Sequence, residues 1–310
     1  MTNKRVGWAF MWMIFAFLAA STVCSLFFSD MHIMILALLS ESCLLIPACI
    51  CLFKGRAGYG KQLHLKGVSK ASTILLSLVY LFCGYPLVIA LNAFTMVITG
   101  NEAQGITDQF DGIPLFLVWF TVGFMGPVVE EIVFRGIILG GLRTTGRIFS
   151  AIVLSGFLFG LMHLNLNQFS YTVVMGIFWG LLVEASGSIL TSMFCHITMN
   201  SLSVFLTFLI GDKLDEVNGI LSGPETEFAA AELLATGMVF IVIGIGATAL
   251  AMLLLRVIAL NEGQTGCFEN IFRKKSKAEK YGSLFSIPLI IGMAVAAAVI
   301  VVDVVFGLFY

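Results

Sequence analysis

Nine stretches of the chain are apolar for long enough to approach or cross a bilayer, at 6–28, 31–53, 72–98, 113–139, 148–166, 169–186, 188–210, 233–257 and 284–309. About 20 apolar residues, rising 1.5 Å each as a helix, cover a hydrocarbon core of roughly 30 Å. The pattern therefore predicts an all-α fold, a polytopic transmembrane helical bundle of about eight to nine spans. The count is open at one place, because the short pair 169–186 and 188–210 can also be read as one re-entrant unit. Val6 to Phe28 follows Lys4 and Arg5 and is too long for the core of a cleaved signal, although Ala19-Ala20-Ser21 faintly resembles a cleavage site; it reads as a retained first span. No internal repeat, low-complexity tract or soluble domain interrupts the pattern, so residues 1–310 read as a single integral membrane domain.

Composition agrees: 59% of residues are hydrophobic, 11% are charged, and the mean hydropathy is +1.02. The net charge is −1 and no basic stripe with interleaved aromatics occurs, which argues against a nucleic-acid partner. The seven cysteines are scattered through apolar runs and form neither a disulfide framework nor a paired zinc motif. Loop charge alternates. Lys4 and Arg5, then Lys54, Arg56, Lys61, Lys66 and Lys70, then Arg143 and Arg147, then Arg273, Lys274, Lys275, Lys277 and Lys280 fall on one side. Glu102, Asp108 and Asp111, then Asp212, Asp215, Glu216, Glu225, Glu227 and Glu232 against a lone Lys213 fall on the other. Basic loops prefer the cytoplasm, so the N-terminus is expected inside and the C-terminus outside; the expected bilayer is the plasma membrane.

Against this background the informative residues are polar ones inside the spans. Glu130, Glu131 and Arg135 lie in the fourth stretch, His163 in the fifth, and His196 and Asn200 in the seventh. Counted from the cytoplasmic ends of their helices, Glu130 lies about 18 Å deep, His163 about 24 Å, His196 about 14 Å and Asn200 about 20 Å. They share a band near mid-membrane, where an ionisable group is a functional-site hypothesis by default. Glu131 and Arg135 are spaced i, i+4 to pair along one face, as are His196 and Asn200. Gly126-Pro127 should bend the fourth helix and free backbone carbonyls for neighbours to satisfy. Gly156 and Gly160 form a small-xxx-small motif that permits close approach of another helix.

Two carboxylates, two imidazoles and an amide in a dry cavity suit peptide hydrolysis. A glutamate can deprotonate the attacking water, while histidine and asparagine can donate to the oxyanion. Ser155 and Ser201 have no neighbouring base, Cys195 points away from His196 around the helix, and no GxSxG motif occurs. Asp303 is the only aspartate deep in a span, so a paired-aspartate protease is excluded.

Glu130-Glu131-Ile-Val-Phe-Arg135, Phe159-Gly-Leu-Met-His163 and His196-Ile-Thr-Met-Asn200, in that order and on separate helices, resemble the motifs of the CPBP family of intramembrane proteases, which includes the CAAX prenyl endopeptidases and bacteriocin-processing proteins. The resemblance covers a core at 113–210. It implies that Glu130 and His163 activate the water, that His196 and Asn200 stabilise the oxyanion, and that Glu131 and Arg135 support the site. Members have also been described as metalloproteases, so zinc held by Glu130, His163 and His196 is the alternative to metal-free catalysis; HExxH is absent. The expected partners are a peptide or membrane-protein substrate and the lipid bilayer. Two other functions stay open: a non-catalytic scaffold for another membrane protein, and a proton-coupled transporter, which would require broken helices or repeats not seen here. Glu41, Glu184 and Asp303 read as snorkelling or locally paired acids, and His32 and His64 as solvated.

Overall fold

The computed structural model describes residues 2–28, 31–53, 63–68, 70–99, 110, 112–221, 226–272 and 282–306, with side chains described outside 210–229. Among these residues the fold is all-helical, with one isolated antiparallel bridge between Leu65 and Ser188. In chain order the helices are α1 (Asn3–Phe27), α2 (Ile33–Phe53), α3 (Ala71–Thr99), α4 (Leu115–Arg143), α5 (Ile148–Met162), α6 (Leu166–Ser186), α7 (Ile189–Leu221), α8 (Thr226–Asn261), α9 (Cys267–Phe272) and α10 (Ile287–Phe306). Eight contain segments long and apolar enough to cross a membrane. The protein is an integral membrane protein. Lipid offers no hydrogen bonds, so each spanning segment satisfies its backbone internally as a helix.

The ninth stretch resolves at α5 rather than at the pair 169–186 and 188–210. Those two are separate long helices, divided by Gly187 in the left-handed conformation (φ 71°). The predicted 148–166 span instead ends at Met162, after 15 residues. Leu164 turns the chain there with φ 58°, a strained conformation for a bulky side chain, and Asn165 caps α6 by accepting from the Gln168 amide at 2.8 Å. His163 thus sits at the C-terminal end of a short helix, recessed within the bundle.

Close packing of α5 on α6 sets the core. A Cβ on Gly156 would meet the Ile177 backbone N at 2.9 Å, and one on Gly160 the Phe169 backbone O at 3.0 Å, as the small-xxx-small motif predicts. α6 answers with glycines of its own at the same spacing, Gly176 and Gly180, whose Cβ atoms would lie 2.7 Å from the Gly156 Cα and 2.8 Å from Ile152. Around this pair lie α3, α4 and α7. α8 packs along α3, and α10 packs on α1.

The predicted interruption at Gly126-Pro127 takes the form of π turns rather than a break. Trp119–Met125 and Ile132–Ile138 are π-helical and flank the α-helical Gly126–Glu131. Proline cannot donate to the carbonyl four or five residues back. In the register that the Gly126 N–H keeps with Thr121 O, the carbonyl left without a donor is that of Val122, and α7 meets it there: Asn200 Nδ2 donates to Val122 O at 3.1 Å, with Ser201 Oγ donating to Gly123 O at 3.4 Å beside it. Lys54, Arg56, Lys61, Glu102, Asp108, Asp111 and the 273–280 basic cluster, on which the orientation expectation leans, lie outside the described residues, as do the side chains of Asp212, Asp215, Glu216 and Glu227 and all of Glu225.

Candidate active site

Adjacent glutamates on one helix point about 100° apart, and α4 gives the two different surroundings. Glu131 is fully buried, whereas the Glu130 side chain keeps 17% of its surface exposed, toward a cavity. Glu131 is held on three sides: Oε1 lies 3.2 Å from Arg135 Nη1 and 3.2 Å from His196 Nδ1, and Oε2 accepts from Ser192 Oγ at 2.6 Å. The Arg135 guanidinium, almost wholly buried, lies over the rings of Phe159 (4.4 Å) and Trp179 (5.0 Å), a cation–π arrangement that suits its planar charge.

His196 bridges the two glutamates. Its Nδ1 faces Glu131 and its Nε2 lies 3.4 Å from Glu130 Oε2. Trp179 stacks on the imidazole at a centroid distance of 4.0 Å and fixes its plane. His163 is oriented differently: Nδ1 donates to the Phe159 carbonyl at 3.0 Å, which leaves Nε2 as the free nitrogen.

A cleft of about 380 Å³ is lined by Glu130, His163, His196 and Asn200 together, along with Trp179 and Met199. The four residues singled out as catalytic therefore face one space of a size suited to a ligand. Glu131 and Arg135 lie behind its wall. Glu130 and His163 share the cleft without a hydrogen bond between them, and Asn200 spends one amide hydrogen on Val122. Three groups escaped the sequence reading. Ser192 shows only as a serine one turn before His196, Phe159 was legible as the head of the His163 motif but not as a face for Arg135, and Trp179, an aromatic residue in an aromatic-rich chain, carries no local signal.

Other assignments resolve plainly. Ser155 Oγ donates to the Phe134 carbonyl at 2.9 Å, Cys195 Sγ faces the Ser77 carbonyl at 3.2 Å, and Glu184 pairs with Arg143 at 2.8 Å. His64 is not simply solvated, since it touches Arg143 and is half-buried. Among the described residues no three His, Cys, Asp or Glu side chains converge so as to hold a metal ion. Glu131 at His196 Nδ1 and the Phe159 carbonyl at His163 Nδ1 hold the two rings as metal-bound imidazoles are held, so zinc, if bound here, would be held by Glu130, His163 and His196.

An all-helical membrane protein with a glutamate, histidine and asparagine cleft inside the bundle defines the class. Residues 112–202, which contain every member of the constellation, match the family model for Type II CAAX prenyl endopeptidase Rce1-like proteins, of the CPBP family. The matched family is one of proteases, and the match supports a hydrolase. No curated protein and no solved structure matches the chain.

Proposed function

We propose that the protein is an intramembrane endopeptidase that hydrolyses a peptide bond in a peptide or membrane-associated protein, with water activated by glutamate. The observation that carries this reading is the division of labour between the two glutamates. Glu131 is spent on Arg135, His196 and Ser192, while Glu130 opens onto the cleft beside both histidines and Asn200.

The order of events follows from which atoms can donate. Glu130, with the free Nε2 of His163 across the cleft, takes a proton from the water as its oxygen attacks the carbonyl carbon. That proton then lies beside His196 Nε2, 3.4 Å away. On passing to His196 it makes an imidazolium whose Nδ1–H is held by Glu131, as the buried acid of a catalytic triad holds its histidine. His196 Nε2–H and the remaining Asn200 amide hydrogen then face the new oxyanion. Collapse breaks the C–N bond, and the proton leaves with the amine.

The N-terminus is read as cytoplasmic on the charge alternation of the loops, and the membrane is read as the plasma membrane. Cleavage of a peptide library by the detergent-purified protein tests the function. Wild type should cleave, and Glu130→Gln should lose at least about a hundredfold in kcat. The same assay with a chelator separates glutamate catalysis from zinc: activity lost on chelation and restored by zinc would overturn the metal-free mechanism. A folded wild type that cleaves nothing would favour a scaffold.

A further inference from the structure

A second, smaller cavity of about 130 Å³ adjoins Glu130 from the α2 side. Glu130, Val122 and Asn200 line both spaces, so these residues form the partition between them. The far wall of the small chamber carries Glu41, the only charged residue of α2, together with Thr121. Glu41 Oε2 is buried and has no hydrogen-bond partner among the described residues, and Oε1 lies against Gly126, 3.3 Å from where a Cβ would stand. A side chain at position 126 would push into the carboxylate.

An acid turned inward from a membrane span toward a chamber shared with Glu130 and Asn200, with no hydrogen-bond partner at Oε2 among the described residues, is expensive unless the chamber holds water. The space admits several waters, and buried waters settle where polar groups lack partners. We propose that the chamber is the water store of the site and that Glu41 is a water-positioning residue; this rests on the endopeptidase reading above. A water between two carboxylates donates one O–H to Glu41 and the other to Glu130, which aims its lone pair at the main cleft beside Asn200. On attack the O–H bond to Glu130 breaks and its proton goes to Glu130, while the hydrogen bond to Glu41 persists and Glu41 gains no proton. The C–O bond forms, the C–N bond breaks, the amine leaves with the proton, and a second water from the chamber takes the vacated place.

The test is steady-state cleavage by full-length Glu41→Leu and Glu41→Asp beside wild type and Glu130→Gln. Glu41→Leu should lower kcat about ten- to hundredfold with KM within about twofold of wild type. Glu41→Asp should recover part of the kcat, and Glu41→Leu should melt no lower than wild type, because it removes an unpaired acid. If Glu41→Leu turns over like wild type while Glu130→Gln is inactive, the water-positioning role is overturned and the endopeptidase reading stands. A loss of kcat accompanied by a lower Tm and no recovery in the aspartate variant also overturns it, as a packing effect. If wild type cleaves nothing, both fall.

Discussion

The Arg135 guanidinium is charged, nearly solvent-free and flanked by two aromatic faces, with Glu131 as its ion-pair partner. Lysine keeps the charge but loses the planar stacking. Arg135→Lys should therefore destabilise by about 1–2 kcal/mol, on the scale of a desolvated cation–π contact. Arg135→Met, which strands a buried carboxylate, should cost about 3–5 kcal/mol. Adding Glu131→Gln to Arg135→Met should restore part of that loss, as seen by SDS titration followed by far-UV ellipticity; strictly additive losses would mean the pair is not coupled. A second residue, His64, lies outside the spans. Burial first, and Arg143 second, push its pKa down to about 4. The folded state thus refuses a proton that the unfolded chain accepts near the ordinary value of 6.5. Stability from this corner is fully present above about pH 6.5 and is lost as pH falls toward about 4. Melting curves over that range should fall more steeply for wild type than for His64→Gln, and equal slopes would refute the assignment.

At the scale of the helix, α4 and α7 are joined by a missing hydrogen rather than by apolar packing alone. If Pro127 is what frees the Val122 carbonyl, then Asn200→Leu should cost about 1–3 kcal/mol by stranding it. Pro127→Ala should relieve part of that cost by restoring an N–H. The double-mutant cycle is expected to show coupling of about 1 kcal/mol, and a coupling near zero would dissociate the two residues. Glycines give a contrast in sign. Gly156→Ala drives a Cβ to 2.9 Å from backbone and should destabilise by about 1–3 kcal/mol. Gly246→Ala on α8 meets nothing within 4 Å and should stabilise by up to about 1 kcal/mol in helix propensity. Much of this level was legible in the sequence, because long apolar runs, a glycine pair at helical spacing and a proline each act through the backbone at a known offset. The span ending at Met162 was not, since Leu164 closes it with a conformation that no leucine announces. Nor was the role of Glu41 visible. An acid in a span reads the same whether it reaches back to a headgroup or turns inward, and only the neighbouring helix decides. The shared depth of Glu130, His163, His196 and Asn200 was legible from counting. The enclosure of Arg135 was not, because Trp179 and Phe159 come from helices whose contacts with α4 are long-range.

The whole molecule adds a direction. The chain alternates from α1 onward, so the starts of α4 and α6 and the later turns of α7 lie toward the face opposite the N-terminus. The cleft runs the same way: its floor holds Trp179 and His196, and its upper wall holds Phe110, Asn167, Gln168, Thr207 and Phe208. From His196 to Thr207 is about 16 Å along α7. On the other side of the floor the bundle is closed by Glu131, Arg135, Leu139 and Leu142, all buried. On the endopeptidase reading, a substrate would therefore reach Glu130 from the face away from the N-terminus. If the basic loops are cytoplasmic, that face is outside the cell, and the substrate is an external or membrane-embedded segment rather than a cytoplasmic C-terminal tail. A membrane-impermeant maleimide applied to intact cells should label Thr207→Cys above the wild-type background. It should label Thr144→Cys, an exposed position beyond the end of α4, only after permeabilisation. The reverse pattern would invert the orientation and return the cleft, with its substrate, to the cytoplasm. Labelling at neither position in intact or permeabilised cells would contradict the open upper wall itself.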